Sequence, residues 1–182
     1  MSYRTAARAS LFSLEGRAPS EFRPMPAGRF KAKDGRPVGF PQGWNLTDSL
    51  AWQIIAKASR QRDRFLIDYD HATLAENGTR APAAGWFSRL EWRPGDGLFA
   101  VGVEWTAAAQ TAISAGEYRY ISPVLTYDPK SGDVTGVLMA AIVNYPALDG
   151  LTDLAVAAHF RFSHQAAPDL SPARIYASRK PS

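Results

Sequence analysis

The sequence predicts an α+β fold, mainly antiparallel strands with a few helices beside them. Strand-like runs come in pairs joined by short turn-forming segments, as in residues 86–92 and 98–105 around Pro94-Gly95-Asp96-Gly97. A helical apolar repeat is confined to one early segment, and 13 prolines and 14 glycines in 182 residues point to many turns. At this length one buried core is expected rather than two.

Taken in order, residues 9–14 are a candidate first strand, and residues 28–32 lead into Asp34-Gly35, a dipeptide that favours tight turns between strands. Thr47 or Ser49 is placed to cap a helix through about Arg60, because Leu50, Ile54 and Ala58 recur at fourth positions with Ala51 and Ile55 beside them. Lys57 and Arg60 suit the negative pole of that helix. From 65 to 71 the pattern changes to period two, so in an extended strand Phe65, Ile67, Tyr69 and His71 share one face while Asp68 and Asp70 point the other way. Residues 72–85, rich in Ala, Gly, Asn and Pro, read as a loop before the 86–105 hairpin. Thr106 caps an alanine-rich helix reaching about Ala115, with Gly116 at its stop. Residues 118–127 and 134–143 make a further hairpin. Pro123 cannot donate to a ladder, which places Ser122 at an edge, a bulge or a strand end.

Composition narrows the chemistry. Hydrophobic residues at 46% and charged residues at 21% suit a folded globular chain. With no cysteine there is no disulfide, thiol nucleophile or thiolate metal site, so packing alone holds the fold. The net charge of +4 raises a nucleic-acid partner, but the basic residues are scattered and a solvated basic face explains them as well. No run approaches the ~18 apolar residues of a membrane span, so a soluble protein without a membrane partner is expected. The chain has no Gly-x-Ser-x-Gly elbow, His-Glu-x-x-His helix, Walker-type loop or Gly-x-Gly-x-x-Gly run, and no cofactor or metal is expected.

Asp68-Tyr69-Asp70-His71 and Tyr118-Arg119-Tyr120-Ile121-Ser122-Pro123 carry the chemistry. Each ends or interrupts a strand-like run with a reactive side chain, and a histidine is the usual base that turns a serine hydroxyl into a nucleophile. His159 and His164 lie far along the chain and read as solvated. Around the pair stand Ala81-Pro82-Ala83-Ala84-Gly85-Trp86, Gly97-Leu98, Glu104-Trp105-Thr106 and Asn144-Tyr145-Pro146-Ala147-Leu148. In that order and spacing these words resemble the I protein family of Mu-like tailed phages, the prohead proteases. The resemblance runs from about Gly28 to about Leu154, which sets off an N-terminal segment 1–27, a protease domain 28–154 and a loose tail 155–182.

More distantly, such proteases are similar to the herpesvirus assemblin group. The resemblance implies a small β-barrel flanked by helices, with Ser122 as nucleophile and His71 as base. It also implies an endopeptidase inside the assembling prohead, in the host cytoplasm, that cuts scaffold protein and its own chain. Its partners are then phage scaffold and capsid proteins, with self-association left open. The Ala-rich segment around Ala155 to Ala158, or Ala166-Ala167, offers small residues suited to self-cleavage.

Related prohead proteases tend to carry an acid on the strand after the serine, whereas residues 137–143 here contain none. Asp149 and Asn144, in the segment that follows, are the first candidates to orient His71, Asp149 ahead because a carboxylate also steadies an imidazolium. Asp68 and Asp70 flank the base, and Arg119 is a candidate to hold an oxyanion. The rival readings are a non-catalytic capsid assembly protein or prophage remnant with the same fold and, behind it, a nucleic-acid-binding β-barrel.

Overall fold

The computed structural model describes residues 4–5, 18–75 and 80–145. Its elements, in order, are β1 (Arg4–Thr5), β2 (Glu21–Pro26), β3 (Gly28–Phe30), β4 (Trp44–Leu46), α1 (Asp48–Gln61), β5 (Phe65–Tyr69), β6 (Ala83–Arg93), β7 (Gly97–Trp105), α2 (Ala107–Ser114), β8 (Tyr120–Tyr127) and β9 (Val134–Val143). The candidate strand at 9–14, the tail and its alanine stretches lie outside the described residues.

Seven strands form one sheet in the order β1-β8-β9-β5-β6-β7-β2. Its far member β2 comes back against β8, so six strands curl into a nearly closed barrel with β1 outside. The small β3–β4 sheet and two helices complete an α+β fold, as expected. All pairings in the large sheet are antiparallel except one, β5 on β9.

Both helices form where their caps predict. Thr47 accepts the Leu50 N–H at the start of α1, and Thr106 accepts that of Ala109 at the start of α2. Ala51 and Ile54 seat α1 on β6 and β9, and Trp92 donates to Asp48 to pin its first turn. The barrel interior is built on aromatic rings. Phe87 stacks on Phe65 with centroids 4.7 Å apart and meets Phe22 edge-on at 5.6 Å.

Two strands run beyond the sequence pattern. β2 contains Pro24 and Pro26, which break a strand signal, yet it lies at the sheet's edge, where a missing N–H is tolerated. β6 begins at Ala83, inside the segment read as a loop. Its Gly85 reflects close approach rather than a turn, since a Cβ there would come within 2.6 Å of the Glu104 carbonyl oxygen. Among the described residues no helix is long and apolar enough to cross a membrane.

Because Phe87 is fully buried and touches rings from two other strands, Phe87→Ala should destabilise the domain by about 3–5 kcal/mol. Chemical denaturation should show this as a lower midpoint with an unchanged slope.

Candidate active site

The parallel pairing of β5 on β9 and the antiparallel pairing of β8 on β9 meet at one residue. Ala141 lies opposite Asp68 on one side and Ser122 on the other. Residues paired in a ladder share a face, so Ser122, Ala141 and Asp68 form a row across three strands, its ends about 10 Å apart at the usual strand spacing. The two flanking rows, which include Ile67 with Ala140 and Ile121 with Ile142, belong to the hydrophobic core. Asp68 therefore points away from that core, as the period-two pattern predicts, yet it is 0% exposed, and Ser122 is only 2% exposed.

His71 is where the structure departs from the pattern. It does not continue β5 on the face of Ile67. The strand ends at Tyr69, and Asp70 and His71 both take left-handed backbone, with φ of 52° and 59°. Two such residues in succession turn the chain sharply and bring the imidazole to the face of Ser122. Nε2 of His71 lies 2.5 Å from Ser122 Oγ, across 51 residues of sequence.

The turn that follows, Ala72–Leu74, is held from several sides. The Asp70 N–H donates to the Ile142 carbonyl, extending the parallel ladder one residue beyond β5. Asp68 Oδ2 accepts the Thr73 N–H at 2.8 Å, and Leu74 closes the turn onto the His71 carbonyl. Tyr118 donates its hydroxyl to Asp70 Oδ2 at 2.9 Å, and its ring meets Tyr69 edge-on. Burial and this bond push the Tyr118 hydroxyl up to about 12.

Asn144 is not drawn to the imidazole. Its amide donates to the Glu117 carbonyl at 2.8 Å, which ties the end of β9 to the segment entering β8. Asp149 lies outside the described residues. His71 Nδ1 is buried and has no hydrogen-bond partner among the described residues, and the same holds for Asp68 Oδ1. Arg119 is exposed just before β8. Arg36, which the sequence did not single out, is close enough for its charge to act on His71, although an ion pair with Asp34 engages its guanidinium. Among the described residues no cluster of three or more His, Asp or Glu is arranged to hold a metal. A surface hollow lined by Ile54, Arg62, Phe65 and Val137 lies beside α1 and includes neither Ser122 nor His71.

Burial lowers the His71 pKa below its ordinary 6.5, Asp68 and Asp70 pull against that, and Arg36 adds to it. The ring is therefore neutral at pH 7, the state in which a ring nitrogen accepts a proton.

With this geometry in place, the profile of the Mu-like prophage I protein, N-terminal domain, matches residues 22–155. The chain belongs to that family. Among its relatives, Protease I of Escherichia phage Mu is 39% identical over 138 residues, covering 71% of this chain and 38% of that protein. The Mu-like prophage FluMu I protein of Haemophilus influenzae is 34% identical over 142 residues, 72% of this chain and 39% of that protein. This member of the Mu-like I family thus spans about two fifths of the length of the curated relatives it matches. No solved structure matches the chain.

The lowered pKa has a sign that can be checked. As pH falls, the unfolded chain takes up the His71 proton first, so stability present above about 6.5 is lost as pH falls through the folded value. The ring should titrate below 6.5 by NMR, and acidification should cost the parent more stability than His71→Gln, read from denaturation midpoints on either side of that window.

Proposed function

We propose that this protein is a serine endopeptidase of phage capsid maturation, with Ser122 as nucleophile and His71 as general base. The observation that carries the reading is the contact of His71 Nε2 with Ser122 Oγ at 2.5 Å, made between the left-handed turn after β5 and strand β8. The printed name of the phage Mu relative, Protease I, supports a proteolytic role. Capsid and scaffold proteins are the proposed substrates, and the assembling prohead in the host cytoplasm is the proposed site of action.

In the proposed reaction Ser122 Oγ attacks the carbonyl carbon of the scissile peptide as its proton passes to Nε2. The imidazolium then gives that proton to the leaving amine nitrogen as the C–N bond breaks. Water, deprotonated by the same ring, releases the acyl group from Ser122. Pro123 has no N–H, so the residue after the nucleophile offers no oxyanion donor, and other groups must supply it. The exposed Arg119 remains a candidate.

Ser122→Ala and His71→Ala should each lower turnover of a scaffold substrate by about 10³- to 10⁶-fold while leaving the fold intact, because a nucleophile and its base act as one unit. Intact-mass analysis of the substrate over time checks this. Cleavage by Ser122→Ala at the parental rate would overturn the assignment.

A further inference from the structure

Two buried polar atoms on the face that carries Ser122 stand without hydrogen-bond partners among the described residues, Asp68 Oδ1 and His71 Nδ1. They are complementary in kind. A carboxylate oxygen accepts, and when Nε2 of a neutral imidazole is the acceptor for a hydroxyl, Nδ1 carries the proton and donates. The strand pairings put both on one face of the sheet. The imidazole reaches Ser122 at one end of a row whose centre is the methyl group of Ala141 and whose far end is Asp68. The carboxylate and the ring are also fixed to the same turn, since Asp68 Oδ2 holds the Thr73 N–H. Asp68 heads the charges that favour the imidazolium, ahead of Asp70. A carboxylate with no exposure and one oxygen unengaged among the described residues is costly, and a hydrogen bond donated to that oxygen would offset the cost.

We propose that Asp68 positions the general base, its Oδ1 accepting the Nδ1–H of His71 and holding the ring in the tautomer whose Nε2 takes the Ser122 proton. The inference rests on the Ser122–His71 reading and supplies the third group that the reading leaves unassigned. Asp68 is a positioning residue. It takes no proton itself, but steadies the imidazolium that forms when Ser122 attacks. The bond closes when substrate fills the site, as catalytic hydrogen bonds commonly tighten on loading.

The first test needs no substitution. Nitrogen NMR of His71 in the intact protein at mildly alkaline pH should show the Nδ1–H tautomer, and an Nε2–H ring would overturn the proposal. The second uses Asp68→Asn, whose amide oxygen can keep the Thr73 bond while its NH₂ faces Nδ1 and favours the other tautomer. We expect kcat to fall about 10³- to 10⁴-fold with little change in KM. The acid limb of kcat/KM, set by His71 among Asp68, Asp70 and Arg36, should move to lower pH once the carboxylate charge is gone. Asp68→Glu should recover part of the loss. Parental kcat in Asp68→Asn, or an unchanged tautomer in that variant, overturns the proposal, and if the variant fails to fold, the parent bound to a peptide boronate decides: a far-downfield Nδ1 proton resonance is expected, and an unshifted one overturns the proposal. Ser122→Ala assayed alongside separates the two claims. Parental cleavage by Ser122→Ala sinks the serine-protease reading, whereas an inactive Ser122→Ala beside a fully active Asp68→Asn sinks only the role of Asp68.

Discussion

The pair of left-handed residues that ends β5 is the constraint on which the site depends. An L residue held in that region costs on the order of 1 kcal/mol or more, and here two are adjacent, Asp70 and His71. The cost is offset locally. Asp70 donates its N–H to Ile142 and accepts the Tyr118 hydroxyl, while Asp68 holds the Thr73 N–H just beyond. Aspartate also tolerates this backbone better than most residues. Without the turn, His71 would continue along β5 toward the core, and Ser122 would face no base.

The same bonds shape the electrostatics. Desolvation holds the imidazole neutral, and the two nearby carboxylates limit how far its affinity for protons falls. A neutral ring keeps a nitrogen free to accept a proton, and the nearby negative charge favours the imidazolium that would form as a serine hydroxyl, a weak acid until its oxygen bonds to carbon, gives up its proton during attack. Asp70 spends its side chain on Tyr118, so its influence on the ring is coulombic and structural at once.

Much of this was legible in the residues. Caps at Thr47 and Thr106, the period-two run of β5 and the turn-joined strand candidates of β8 and β9 marked the elements, and Asp68-Tyr69-Asp70-His71 with Tyr120-Ile121-Ser122-Pro123 marked the candidate pair. The closure of the sheet was legible only through family resemblance, since no local pattern specifies that β2 returns to β8. Pro24 and Pro26 hid β2, and Gly85 read as a loop residue because close packing and turn formation favour the same residue type. Periodicity put His71 on the core face because it assumes that an extended strand stays extended. Asp68 was visible beside the base, three residues before it, but ranked behind Asp149 and Asn144 because only the parallel pairing makes it a neighbour of the serine row.

That parallel pairing has a consequence for quality control within the chain. Ser122, Ala141 and Asp68 belong to three strands, and their alignment depends on β9 being in register with both neighbours. A copy in which β9 is displaced by one residue could retain many of its backbone bonds and still look folded to spectroscopy, but Ala141 would face the wrong way and the row would be broken. On the proposed reading, reactive chemistry is thereby made conditional on correct assembly of the sheet. A misregistered chain would then be inert rather than indiscriminate, which matters for a protease that meets its substrates at high density.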